Sequence, residues 1–148
     1  MTGARRSLWS RARALAVASL GVPAARRWAL AWGAFLLVLT SWPSPPSVPV
    51  LSDIPSFDKY VHGILYGVEA FLLYQAVRWP GRRGFSGARI LAVAGFLAVF
   101  GTVDETHQAF IPGRSMDPMD AATDAAGALV GSVVGAWVSE KLRAEPTS

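Results

Sequence analysis

The chain has 148 residues, 52% of them hydrophobic and only 16% charged, with a net charge of +4 and a mean hydropathy of +0.34. That length bounds it to one domain, and the absence of Cys excludes a disulfide or a thiolate metal site in any compartment. A pI near 10.1 would suit a nucleic-acid partner, but the basic residues are sorted by segment, so membrane topology and anionic lipid headgroups account for them and no nucleic acid is expected.

The first 27 residues are rich in Arg: Arg5, Arg6, Arg11, Arg13, Arg26 and Arg27. Residues 4–25 have the outline of a signal peptide, but Arg11 and Arg13 interrupt the apolar run and Arg26-Arg27 follow the would-be cleavage site. The segment therefore reads as a cytoplasmic amphipathic lead-in. Four apolar stretches follow, Trp28–Trp42, Tyr60–Trp79, Ile90–Val103 and Ala121–Val138. A bilayer core of about 30 Å needs roughly 20 apolar helical residues. The second and fourth stretches meet that length, while the first and third need their flanks or a thinned membrane. The expected fold is all-α, a polytopic four-helix transmembrane bundle over 28–138 with a short tail at 139–148. It falls to three spans if the first stretch only lies in the interface.

Twelve of the fourteen Lys and Arg residues lie in three of the five segments that flank and join these stretches. They are the six of the head, then Arg78, Arg82, Arg83 and Arg89 around the middle connection, then Lys141 and Arg143 after the fourth stretch. Basic residues in short loops stay cytoplasmic. Both termini and the middle connection are thus expected inside, with the connections 43–59 and 104–120 facing outward. Trp28, Trp42, Trp79 and Trp137 fall near span ends, as an interfacial aromatic belt requires.

The two outward connections differ. Pro43 to Pro55 carries five prolines and is expected to run extended. Ser56 is then placed to cap a helix starting at Phe57, with Asp58 in its first turn, where the helix dipole favours a carboxylate. The other connection turns at Ile111-Pro112-Gly113 and restarts near Pro118, a residue suited to the first turn of a helix.

Helical spacing aligns the polar groups. Asp58, His62, Tyr66 and Glu69 share one face of the second stretch; Asp104, His107, Gln108 and Ile111 share one at the end of the third. Asp117, Asp120, Asp124, Gly127, Gly131 and Gly135 form a stripe on the fourth, acidic outside and small inside, so another helix can approach closely. Ionisable groups inside a span are costly, which makes a functional reading the default. Glu69 lies about ten residues into its stretch, near mid-bilayer, where a carboxyl is either protonated and hydrogen-bonded or lines a proton or substrate path.

Asp58-Lys59-Tyr60-Val61-His62 with Tyr66, then Asp104-Glu105-Thr106-His107-Gln108-Ala109-Phe110-Ile111-Pro112-Gly113-Arg114, then Asp117 and Asp120 before Gly127, resemble the VanZ-like family. These are small bacterial integral membrane proteins named for a member linked to teicoplanin resistance. The resemblance spans roughly residues 28–138 and implies a multi-pass protein of the bacterial inner membrane, active at the cell envelope. It puts Asp58, Lys59, His62, Tyr66, Glu105, Gln108, Pro112, Gly113, Arg114 and Asp120 at the family's characteristic positions. Where the family often has Asn three residues before the Gly of the fourth span, this chain has Asp124, a further carboxylate that needs a cation or a proton.

Three chemistries fit these groups. In an acid–base site, His62 carries the proton and Asp58 or Glu105 orients it. Lys59 and Arg114, with Tyr66, Gln108, Asp120 and Asp124 around them, would hold an anionic lipid-linked headgroup. A purely structural ion-pair network locking loops to a bundle is the rival. A metal bound by Asp58, His62, Asp104, His107 and Asp120 is disfavoured by Lys59 and Arg114 in the same cluster, so no metal or cofactor is expected. A transporter would need more walls than four short spans provide, which a homo-oligomer would supply. The sequence carries no phosphate-cradling Gly-rich loop, nucleophile elbow or dinucleotide fingerprint.

Overall fold

A computed structural model describes residues 22–43, 56–77 and 85–144, with side chains through 142. It holds four helices, α1 (Val22–Thr40), α2 (Phe57–Ala76), α3 (Gly87–Gln108) and α4 (Pro118–Ala144), and no strand among the described residues. Residues 1–21 of the signal-peptide-like head, most of the Pro-rich connection, and Trp79 with the arginines at 78, 82 and 83 lie outside the described residues.

Every helix starts before its apolar stretch, and α3 and α4 also run past the end of theirs. α1 begins at Val22 rather than Trp28, which draws Arg26 and Arg27 into the helix, and Pro23 sits in its first turn, where a missing N–H costs nothing. α3 runs on at both ends to Gly87 and Gln108. A charged side chain does not stop a helix whose backbone bonds remain satisfied, so the two short stretches belong to full-length elements.

α1, α3 and α4 are long and apolar enough to cross a membrane. The marginal helix is therefore not the first but α2, whose 20 residues include Asp58, Lys59, His62 and Glu69.

α2 is the centre of the bundle and touches all three other helices. Ala25 and Ala29 near the start of α1 pack on Ala76 at the end of α2, and the Trp32 Nε1–H donates to the Leu65 carbonyl at 3.0 Å, so these two run antiparallel. α2 and α4 run parallel. Gly63 meets Gly127, Gly67 meets Gly131, and Gln75 donates to the Gly135 carbonyl at 2.9 Å while accepting from Ser139 Oγ at 2.7 Å. The core between α2, α3 and α4 is built on Tyr66, Tyr74, Ile90, Val93, Leu97 and Ala128. Arg89, read from sequence as a connection residue, is buried with its guanidinium 3.7 Å from the Tyr74 ring centroid.

Lipid offers helices no hydrophobic reason to associate, so close packing and interhelical hydrogen bonds must hold them together. A Cβ on Gly127 would fall 2.8 Å from the Gly63 Cα, and one on Gly131 would fall 2.9 Å from the Gly67 Cα. Only glycine allows this contact, as the small-residue stripe predicts.

Candidate functional site

The end of the bundle that carries the C-termini of α1 and α3 and the N-termini of α2 and α4 gathers the ionisable residues. α2 starts at Phe57 as expected, but Ser56 does not cap it with its side chain. It takes a left-handed conformation (φ 58°), and its carbonyl instead accepts from the backbone N–H groups of Lys59 and Tyr60. Asp58 stays in the first turn and is mostly exposed, with a side chain 60% accessible.

Lys59 is enclosed by carboxylates. Its Nζ donates to Asp58 at 2.9 Å, to Asp120 at 2.6 Å and to Asp117. Asp117 precedes α4, where its Oδ1 also accepts the Met119 N–H at 2.8 Å. The Lys59 hydrogen bond, aided by that backbone donor, holds the Asp117 carboxyl below the usual carboxylate range.

One turn further along α2, His62 lies between two carboxylates of α4. Its Nδ1 is 3.0 Å from Asp124 Oδ1 and its Nε2 is 3.8 Å from Asp120 Oδ2. Asp124 is fully buried, and its Oδ2 has no hydrogen-bond partner. Gly101 of α3 makes room for it, since a Cβ there would sit 3.1 Å from that oxygen and 3.2 Å from the Tyr66 ring.

α3 contributes its buried stripe, Gly101, Asp104, Glu105 and Gln108. Glu105 is a clamp: Oε1 accepts from Gln108 Nε2 at 2.8 Å, and Oε2 accepts the Asp117 backbone N–H at 3.0 Å, tying α3 to the start of α4. Asp104 accepts from Thr40 Oγ1 of α1 at 2.9 Å and from Tyr66 OH of α2 at 3.4 Å, so one carboxylate joins three helices. After α3 the chain turns through Gly113 (φ 82°), which returns Arg114 to the Gln108 side-chain oxygen through Nε at 3.1 Å and through Nη2.

The structure thus brings Lys59, His62, Tyr66, Glu105, Gln108, Arg114, Asp120 and Asp124 to one end of the bundle, with Asp58 at its rim. His107, aligned with Asp104 by spacing, points outward and is exposed. Glu69 shares the buried face of α2 but lies deeper, away from this network. Sequence reasoning missed Thr40 and Gly101. The available signals were a hydroxyl at the C-terminal end of a mostly apolar stretch and a glycine one turn before Asp104.

Electrostatically the cluster is acidic. Asp58, Asp104, Glu105, Asp117, Asp120 and Asp124 surround Lys59 and His62, with Arg114 at the edge. Donor atoms of His62, Glu105 and Asp120 lie within 4.8 Å of one another, as do those of Asp58, Asp117 and Asp120. The first trio has the nitrogen and oxygen donors that suit zinc or manganese, whereas the Lys59 ammonium already occupies the second. A histidine flanked by carboxylates on both ring nitrogens can accept, hold and return a proton.

No curated protein and no solved structure matches the chain. One family model does, that of VanZ/LLP1, over residues 15–139, which takes in every residue of the network just described. With its apolar helices, the chain is a membrane protein that belongs to the VanZ/LLP1 family.

Proposed function

We propose that all four helices span the bacterial inner membrane with both ends of the chain in the cytoplasm, and that the polar end, at headgroup depth on the outer face, binds an anionic cell-envelope lipid or precursor. The alternating directions of α1 to α4 support the topology, because they put the basic ends together and the acidic network at the opposite end. α2 enters the membrane in spite of its charges because its polar face is turned to the other helices.

The observation that carries the ligand reading is the contrast between the two cations. Lys59 is matched by three carboxylates, while Arg114 rests on a neutral amide and forms no ion pair among the described residues. Arg114 therefore takes the anionic group, through the planar fork that suits phosphate. Lys59 keeps the acidic cage together, a role different from the one its charge alone suggests. His62, held by Asp124 and backed by Asp120 and Glu105, supplies acid–base chemistry to the bound ligand. A change in teicoplanin-type glycopeptide tolerance would follow if that ligand is a cell-wall precursor.

Native mass spectrometry of the detergent-purified protein beside Arg114→Ala, at matched thermal stability, tests this. A bound anionic lipid in the wild type that is lost in the variant is the expected result. A structural reading is favoured by the Glu105 clamp and the saturated Lys59. It predicts equal spectra with no specific adduct and a lowered melting temperature in the variant.

A further inference from the structure

Between α1, α2 and α3 lies a cleft of about 750 Å³, a drug-sized volume, away from the polar end. Leu30, Leu37, Phe96 and Phe100 give it apolar walls. One carboxyl enters it. Glu69 is 6% exposed, its Oε2 is enclosed without a hydrogen-bond partner, and no described residue forms a hydrogen bond or an ion pair with either oxygen. Gly33 of α1 lies beside it, and a Cβ there would already touch the carboxyl, 3.5 Å from Oε1. The other titratable residue lining the cleft is Arg26, and its Nε is bonded to the Ala76 carbonyl at 3.3 Å. Ala76 lies seven residues beyond Glu69 on α2, about 10 Å along the axis. The fold therefore brings a carboxyl into an apolar cleft where no described residue pairs with it, a costly arrangement in a membrane.

From this geometry we infer that the cleft binds a lipophilic organic cation, with its charge against Glu69 and its apolar body along the cleft walls. An anionic amphiphile would meet the repulsion of Glu69, and a neutral one would leave the carboxyl unmatched. The Phe96 and Phe100 rings, stacked with centroids 6.4 Å apart, add faces that attract a cation. This site is separate from the proposed Arg114 site and stands or falls independently of it.

The test is equilibrium binding of tetraphenylphosphonium to the full-length protein in lipid nanodiscs, with neutral triphenylphosphine oxide as the control. Saturable binding of the cation is expected. It should weaken about ten-fold or more in Glu69→Gln, through loss of an opposite charge in a low-dielectric site. Glu69→Asp and Arg114→Ala should stay within a few-fold of wild type. Gly33→Leu, which obstructs the cleft and keeps the charge, should also lose binding, so the test survives if Glu69→Gln fails to fold. Binding no greater than in empty nanodiscs, equal affinity for the neutral control, or unchanged binding in a folded Glu69→Gln or Gly33→Leu protein would overturn the inference.

Discussion

Gly131→Ala should be among the most damaging single-methyl changes in this protein. The new Cβ would collide with the Gly67 carbonyl and lie 2.9 Å from the Gly67 Cα, and both are backbone atoms that no rotamer change can move. The Cβ direction is also that of a glycine Cα hydrogen, so the native contact has the geometry of a Cα–H···O interaction, which the methyl destroys. An ordinary carbon contact of about 3.5–4.0 Å requires α2 and α4 to separate by roughly 1 Å along their whole interface. Overpacking costs typically about 1–3 kcal/mol, and here the lost dispersion adds to it. A value near 2 kcal/mol is about a 30-fold change in the folding equilibrium. The assay is thermal or denaturant unfolding in one detergent, followed by circular dichroism, beside Gly95→Ala and Gly135→Ala. A methyl at Gly95 meets nothing within 4 Å, and one at Gly135 meets the Tyr74 Cβ at 3.0 Å, which asks for a shift of only a few tenths of an ångström. The expected order of loss is Gly131 first, then Gly135, with Gly95 unchanged or slightly gaining from better helix propensity. Gly131→Ala melting together with Gly95→Ala would refute the close α2–α4 contact.

Two further outcomes follow from the polar end. Lys59→Ala strands Asp58, Asp117 and Asp120 beside one another and should lower the melting temperature by several degrees at pH 7. Lys59 holds the Asp117 carboxyl low, so the stabilisation is fully present above the ordinary carboxylate value near 4. It is lost as pH falls through the depressed value, and the gap between wild type and variant should close on acidification; melting curves from pH 7 to pH 3 that run parallel would contradict the cage. Thr40→Val removes the 2.9 Å donor to Asp104 in a buried setting and should cost about 1–3 kcal/mol, read by unfolding in detergent. Its effect should largely vanish in an Asp104→Ala background, where the acceptor is already gone.

The helices were legible because apolar length and helical period survive any tertiary context. The polar end was legible because Asp58 through Arg114 recur as ordered motifs at two span edges. What sequence could not supply was the partition of charge. Lys59 and Arg114 look interchangeable on paper, yet three carboxylates converge on one and a glutamine side chain on the other, a distinction made by how far α4 reaches toward α2. Likewise His107 shares a three-residue spacing with Asp104, but the buried stripe of α3 is centred between Asp104 and Glu105, and His107 is turned about 200° from Glu105. The Ser56 cap failed because the chain arrives in a left-handed turn that uses the carbonyl and not the hydroxyl. Helix boundaries at Val22 and Gly87 were missed because charge was read as an end, whereas the backbone needs only hydrogen bonds to continue.

The central place of α2 has a consequence for how the protein is made. α2 is the helix least suited to enter lipid unaided, yet its main partner, α4, is the last of the four to be synthesised. Until α4 is synthesised, Lys59 lacks Asp117 and Asp120, His62 lacks both of its carboxylates, and Gly63 and Gly67 face no helix. During that interval α2 is escorted by α1, through Trp32 and the alanines that meet Ala76, and by α3, through Asp104 and Leu97. Synthesis therefore passes through a three-helix stage in which the ionisable face of α2 is still partly uncovered, until α4 arrives to close it.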